Sequence, residues 1–140
     1  MMLFTEVRGL PVVPPGGAGP LGTVTSLTVD VVTGSVSHVW WRGGRFGRET
    51  ALPWDAVGAV GPGTLRVRSG SGGASASAPS HHELLGRRIL TDTGTGRGTV
   101  LDVAFDTRTA HLLALFTTRG ELPADRLLGL GDYALVVRAG

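Results

Sequence analysis

The segment Gly22-Thr23-Val24-Thr25-Ser26-Leu27-Thr28-Val29-Asp30-Val31-Val32-Thr33-Gly34 returns 76 positions later as Gly98-Thr99-Val100-Leu101-Asp102-Val103-Ala104-Phe105-Asp106-Thr107-Arg108-Thr109-Ala110. Gly-Thr-Val, Asp and Thr are identical in the two, and Leu27, Val29 and Trp40 meet Val103, Phe105 and Phe116. Self-similarity at a fixed offset marks a duplicated supersecondary unit. Further along the offset falls to 70, where Leu52-Pro53, Asp55, Gly61, Leu65 and Val67-Arg68 recur as Leu122-Pro123, Asp125, Gly131, Leu135 and Val137-Arg138. Upstream, Val7-Arg8-Gly9 and Val12-Val13 line up with Leu84-Leu85-Gly86 and Ile89-Leu90. The chain therefore divides into a first repeat within residues 1–68, preceded by an N-terminal tail, and a second within 83–140. Between them, residues 69–82 read SGSGGASASAPSHH, a linker of the flexible Gly/Ser type whose mean span of about 20 Å lets two small units pack side by side.

Inside each repeat apolar and polar residues alternate over short runs, the period of a half-buried strand. Val24 to Leu27 and Val100 to Val103 are steps of three within that period, which predicts a bulge at one place in both repeats. Asp30 and Gly34 flank a hairpin turn, the carboxylate accepting from turn N–H groups and the glycine supplying a positive φ. Ala110 stands where the first repeat has Gly34, so the second turn must differ or carry strain. Leu52-Pro53 and Leu122-Pro123 end a sheet run, Asp55 and Asp125 are expected to cap a short turn, and Thr64–Arg68 and Ala134–Arg138 close each unit as strands. Val36, His38 and Trp40 alternate with Val39 and Trp41, as Leu112 and Phe116 oppose Leu113 and Leu115. Strands apolar on both faces are expected to be covered on both, one face filling its own unit and the other meeting the sister repeat or an identical chain. A unit of about 60 residues buries too little core to stand alone.

Composition agrees with many tight turns: 23 glycines and only 6% aromatics in 140 residues. All thirteen basic residues are arginine, which reads as the bias of a GC-rich bacterial genome, and the formal charge of +2 is too small for a strong nucleic-acid footprint overall. With no cysteine, disulfides, thiolate zinc sites and cysteine nucleophiles are excluded. No apolar run reaches the length of a spanning helix, so a cytoplasmic location is the default expectation.

An apolar-Gly step, a Gly-x-Val strand, an Asp-containing hairpin, a Leu-Pro step and a closing β-run follow one another twice. The carrying residues are Gly9, Gly22-Thr23-Val24, Asp30, Gly34 and Leu52-Pro53, then Gly86, Gly98-Thr99-Val100, Asp106 and Leu122-Pro123. This order resembles the PRC-barrel family, typified by the cytoplasmic domain of the photosynthetic reaction-centre H subunit and the C-terminal domain of a ribosome maturation factor. The resemblance implies an all-β chain of two small PRC-like β-barrels packed as a pseudo-symmetric pair, used for docking, and it transfers no catalytic residue.

Trp40-Trp41-Arg42-Gly43-Gly44-Arg45-Phe46-Gly47-Arg48 mixes aromatics, arginines and glycines, a mixture able to stack bases and neutralise phosphates. The alternative is that Trp40 is core, the glycines form a long hairpin loop and the arginines are solvated or stack on Trp41. Trp54 beside Pro53 is either a partner anchor or a cover for the barrel rim. His81-His82-Glu83 lacks companion metal ligands at fixed spacing. Gly94-Thr95-Gly96-Arg97-Gly98 precedes a β-type run rather than a helix, and reads as a turn, not a phosphate loop. His38 and His111 with Asp102 and Asp106 lack a nearby nucleophile. The sequence thus predicts a non-enzymatic adaptor or assembly module that binds a protein partner, with no cofactor and no metal, through Trp41, Arg42, Arg45, Phe46, Arg48 and Trp54. The alternative partner is RNA or the ribosome, with Arg42, Arg45 and Arg48 on phosphates, and homo-oligomers are compatible with either.

Overall fold

The period-two stretches of both repeats fold as strands, laid out in the same order. The computed structural model describes residues 1–17, 19–44, 47–68 and 83–139; the linker 69–82, with His81 and His82, and the loop residues Arg45 and Phe46 lie outside them. The first half runs β1 (Met2–Leu3), α1 (Phe4–Val7), β2 (Pro11–Val13), β3 (Gly22–Asp30), β4 (Ser35–Arg42), β5 (Glu49–Pro53), a 3-10 turn Trp54–Ala56, β6 (Val57–Val60) and β7 (Leu65–Val67). The second runs β8 (Arg88–Thr91), β9 (Gly96–Phe105), β10 (Leu112–Thr117), β11 (Gly120–Pro123), a 3-10 turn Ala124–Arg126, β12 (Leu127–Leu130) and β13 (Leu135–Val137). The protein is all-β, with strand orders β5-β4-β3-β2-β7-β6 and β11-β10-β9-β8-β13-β12. Each sheet is antiparallel except where its first long-range partner strands meet, β2 with β7 and β8 with β13. Neither sheet closes on itself through a ladder among the described residues.

The bulge expected near Gly22 and Gly98 is present in both repeats, and it has company. Thr25 is the extra residue between the Val24–Trp41 and Ser26–Trp40 pairs, and Leu101 between the equivalent pairs of β9 and β10. A second bulge inserts Ser37 in β4 and Leu113 in β10, and a third inserts Gly58 in β6 and Leu128 in β12. An unpaired extra residue bends a strand and increases its twist, so the duplicated bulges bend the two sheets alike. They also correct the alternation read from β4 and β10. Because Ser37 and Leu113 reset the period, Val36 with Val39 and Leu112 with Leu115 go into the core, while Leu113 is 47% exposed and uncovered.

Both hairpin turns form as their aspartates dictate. Asp30 Oδ1 accepts from the N–H of Val32 at 2.9 Å and Asp106 Oδ1 from that of Arg108 at 2.8 Å. The second turn does not differ: Ala110 takes φ +67°, the same value as Gly34, and carries the strain of a left-handed alanine. The 3-10 turns, by contrast, are not capped by aspartate. Pro53 and Pro123 occupy the N-cap positions without a side-chain bond, and Asp55 and Asp125 sit inside the turns. Gly22 is required by close approach, since a Cβ there would lie 2.2 Å from the carbonyl oxygen of Arg42.

The halves join along a pseudo-twofold axis. Val36 N–H donates to Ala110 O at 2.9 Å, and Leu112 N–H donates to Gly34 O at 2.8 Å. Because 34 and 110, like 36 and 112, are equivalent positions, each bond is the image of the other, the reciprocity of an isologous contact; Ser35 and His111 face each other between them. One apolar cluster runs through both halves, including Val24, Leu27, Leu65, Ile89, Val103 and Leu135. The N-terminal residues, read from sequence as a tail, fasten the join: β1 pairs with β9, Phe4 and Val7 are buried, and Thr5 Oγ1 donates to Asp102 Oδ2 at 2.5 Å. Fully buried Phe105 packs in T-shaped fashion with Phe4 at 5.4 Å and with Trp54, from the first half, at 5.5 Å between ring centroids.

Two expectations follow. Phe105→Ala lowers stability by about 3–5 kcal/mol, the range for a buried aromatic cut to alanine, and a urea melt followed by tryptophan fluorescence and by circular dichroism shows one coincident transition for both halves. Gly34→Ala, whose added Cβ meets nothing within 4 Å, costs about 1 kcal/mol of backbone strain. Ala110→Gly leaves stability within about 0.5 kcal/mol, because relief of strain is offset by the lost buried methyl and the added chain freedom; the two midpoints, measured side by side, check the pair.

Candidate functional site

A concavity opens beside the dyad. It is a groove of about 860 Å³ with Ser35, Val36 and Ser37 of β4 on one side and Val57–Val60 of β6 on another. Pro53 at the end of β5 and Trp54 and Asp55 of the 3-10 turn also line it, Arg68 follows from the end of β7, and Thr107–Ala110 of the second hairpin turn complete it. Its cause is local: β5 pairs with β4 only from His38 onward, so the first residues of β4 have no β5 beside them, and the bulge at Gly58 puts no side chain there. The groove therefore combines a strand edge, small side chains, two guanidinium groups and one half-buried indole.

The residues singled out from sequence fall into two places. Trp54 lines this groove and also packs on Phe105, so it is part of the join between halves. Trp41, Arg42 and Arg48 lie at the far end of the β4–β5 hairpin, four residues along β4 from the groove, a distance of about 13 Å. Trp40 Nε1 donates to Thr28 Oγ1 at 2.5 Å and Trp41 packs half-buried against the core. Arg42 bonds Glu49 at 3.1 Å, and Arg48 is exposed. The structure does not bring Trp54 together with this loop. Ser37, Gly58 and Arg108 are each unremarkable alone, and their signal in the sequence is the alignment with Leu113, Leu128 and Val32.

The two aspartates noted beside the histidines are held by hydrogen bonds. Asp102 holds Thr5, and Asp106 accepts from Arg108 and Thr109 N–H groups, which hold its carboxyl below the usual carboxylate range. No cluster of three or more metal-ligating side chains occurs among the described residues, and no described helix is long and apolar enough to cross a membrane. The loop 94–98 continues into β9, as a turn entering a strand. A scan of the chain against protein-family models gives no match, and neither does a comparison with curated proteins.

His38, next to Ser37 at the groove and bonded to its hydroxyl at 3.0 Å, has its pKa lowered by desolvation, against the opposing pull of Asp55. The unfolded chain then takes up this proton first as pH falls below the ordinary imidazole value of about 6.5. Stability from neutral His38 is present above that value and lost as pH falls through it toward the depressed one. Melting temperatures measured from pH 7.5 to pH 5 are expected to fall more steeply for the native chain than for His38→Gln; equal slopes would remove His38 from the account.

Proposed function

We propose that this chain is a non-enzymatic binding module of the PRC-barrel type, an adaptor or assembly factor that works through protein–protein contacts. In this reading each sheet curls as a small barrel, the bends coming from the duplicated bulges, and the two pack as a pseudo-symmetric pair. Support comes from the matched strand orders and from the reciprocal hydrogen bonds across the dyad. The observation that carries the function is the groove beside that dyad. Its lining mixes apolar surface and a half-buried indole with strand edge, hydroxyls and arginines, the mixture that macromolecular interfaces favour at their core and rim.

The second reading, an RNA- or ribosome-associated factor using Arg42, Arg45 and Arg48, has less support. Arg42 is paired with Glu49, Trp41 packs half-buried against the core, and Trp40 is tied through its Nε1 to Thr28. The two readings separate in a capture experiment with the full chain as bait in extract of its own cell type, at low and moderate salt, with and without ribonuclease. A bound protein that persists through moderate salt and ribonuclease is expected. Retention that vanishes with either treatment transfers the assignment to RNA, because phosphate contacts weaken steeply as salt rises.

A further inference from the structure

We infer that the groove receives an extended, acidic peptide segment lying along the outer edge of β6; this rests on the protein-binding reading above and names the form its partner takes. Among the described residues β6 is the last strand of its sheet. Hydrogen bonds of 2.7 Å from Arg68 N–H to Ala56 O and from Gly61 N–H to Thr64 O bracket the β6–β7 ladder. They make Val57–Val67 and Val60–Leu65 the non-hydrogen-bonded pairs, so the peptide groups of Val57 and Val60 point away from β7. Val57 is already served: its N–H donates to Trp54 O, and its oxygen accepts from Arg68 Nη2 at 3.5 Å. Val60 presents its N–H and C=O outward, the pair of groups that an added strand uses.

Size and charge set the occupant. An extended residue in a sheet takes about 3.3 by 4.8 by 10 Å, roughly 160 Å³, so a groove of about 860 Å³ holds about five residues. Arg68 and Arg108 line it against the single carboxylate of Asp55, and Asp106 is turned into its own hairpin by bonds to Arg108 and Thr109 N–H. The chemistry is complementary to a strand bearing carboxylates.

The sister repeat shows that the fold does not demand this lining. At the positions equivalent to Ser37, Gly58 and Arg108 stand Leu113, Leu128 and Val32, which are 47%, 47% and 92% exposed. The same bulges and the same turn accept large apolar residues there, so the small and charged side chains at these three positions of the groove are a matter of residue choice, not of architecture. Those residues also supply test substitutions that the architecture already accommodates.

The test is fluorescence anisotropy of the full chain with a short labelled peptide alternating Val and Glu, its Val/Lys counterpart, and the Val/Glu peptide N-methylated at alternate amides. Val/Glu is expected to bind, Val/Lys and the N-methylated peptide are not, and the Ser37→Leu, Arg108→Val double variant is expected to weaken binding about tenfold, the scale of one charged hydrogen bond, at unchanged melting temperature. Gly58→Leu, whose Cβ comes 3.3 Å from Arg68 Cα, is a second variant with the same expected loss. Absence of Val/Glu binding, or equal binding of Val/Lys or of either folded variant, overturns the inference. Using the double variant as bait keeps the two readings apart: a partner held as firmly by the variant as by the native chain sinks the groove assignment and leaves the adaptor standing, whereas a native bait that retains no protein sinks both.

Discussion

Two backbone hydrogen bonds on the pseudo-dyad, Val36 to Ala110 and Leu112 to Gly34, set where everything else can be. At a net worth of about 1 kcal/mol each they supply little of the stability; burial of a single Leu or Phe side chain contributes as much as both. What they supply is direction. The start of β4, which β5 leaves bare, is met by the turn before β10, and the start of β10 by the turn before β4, each N–H satisfied by a carbonyl of the other half. The apolar residues on either side then have one way to interleave, and the cluster that spans both halves is the result. This is why Ala110 keeps a left-handed conformation that costs an alanine about 1–2 kcal/mol: its carbonyl is one of the two acceptors, and an unstrained turn would withdraw it.

The same constraint explains why the join is not symmetric in detail. A twofold contact between identical sheets would bury the same residue twice. Here Phe105 replaces Val29 and Trp54 replaces Ala124 at equivalent positions, so one side of the axis holds a three-ring cluster completed by Phe4 from the N-terminal helix. β1 and α1 lie on that side, where β1 extends the ladder of β9 beyond the end of β8. Duplication supplied the frame, and the N-terminal segment consolidates one half of it.

Much of this frame was legible in the sequence. The repeat, the strands, the first bulge and the aspartate turns followed from spacing, because each is a local consequence of backbone geometry. The second bulge was hidden: Val36 to Val39 and Leu112 to Leu115 are steps of three as clear as Val24 to Leu27, but in strands apolar at nearly every position the step has no polar background to stand out against. The period-two reading therefore places Leu113 on a covered face, whereas it is exposed. The aspartate caps failed for a different reason, since proline at the preceding position already fixes φ for the 3-10 turn. The docking of Met2–Val7 depends on a partner more than 95 residues away, which no local period can announce.

The candidate site was less legible than the fold, and its physics says why. A loop rich in Trp and Arg attracts notice through composition, yet a tryptophan that can reach the core will be drawn there, since burial of its ring outweighs any stacking that waits for a partner. A groove, in contrast, is made by what is missing: no β5 beside Ser35–Ser37, no side chain on Gly58, a hydroxyl at Ser37 where the sister repeat has an isobutyl group. Absence carries no compositional signal in one copy. It becomes visible only when the two copies are superposed on one topology and the positions are compared pair by pair, so that a duplicated chain is in effect its own reference: shared residues report what the architecture requires, and divergent ones at the same bulge report what each half has been left free to do.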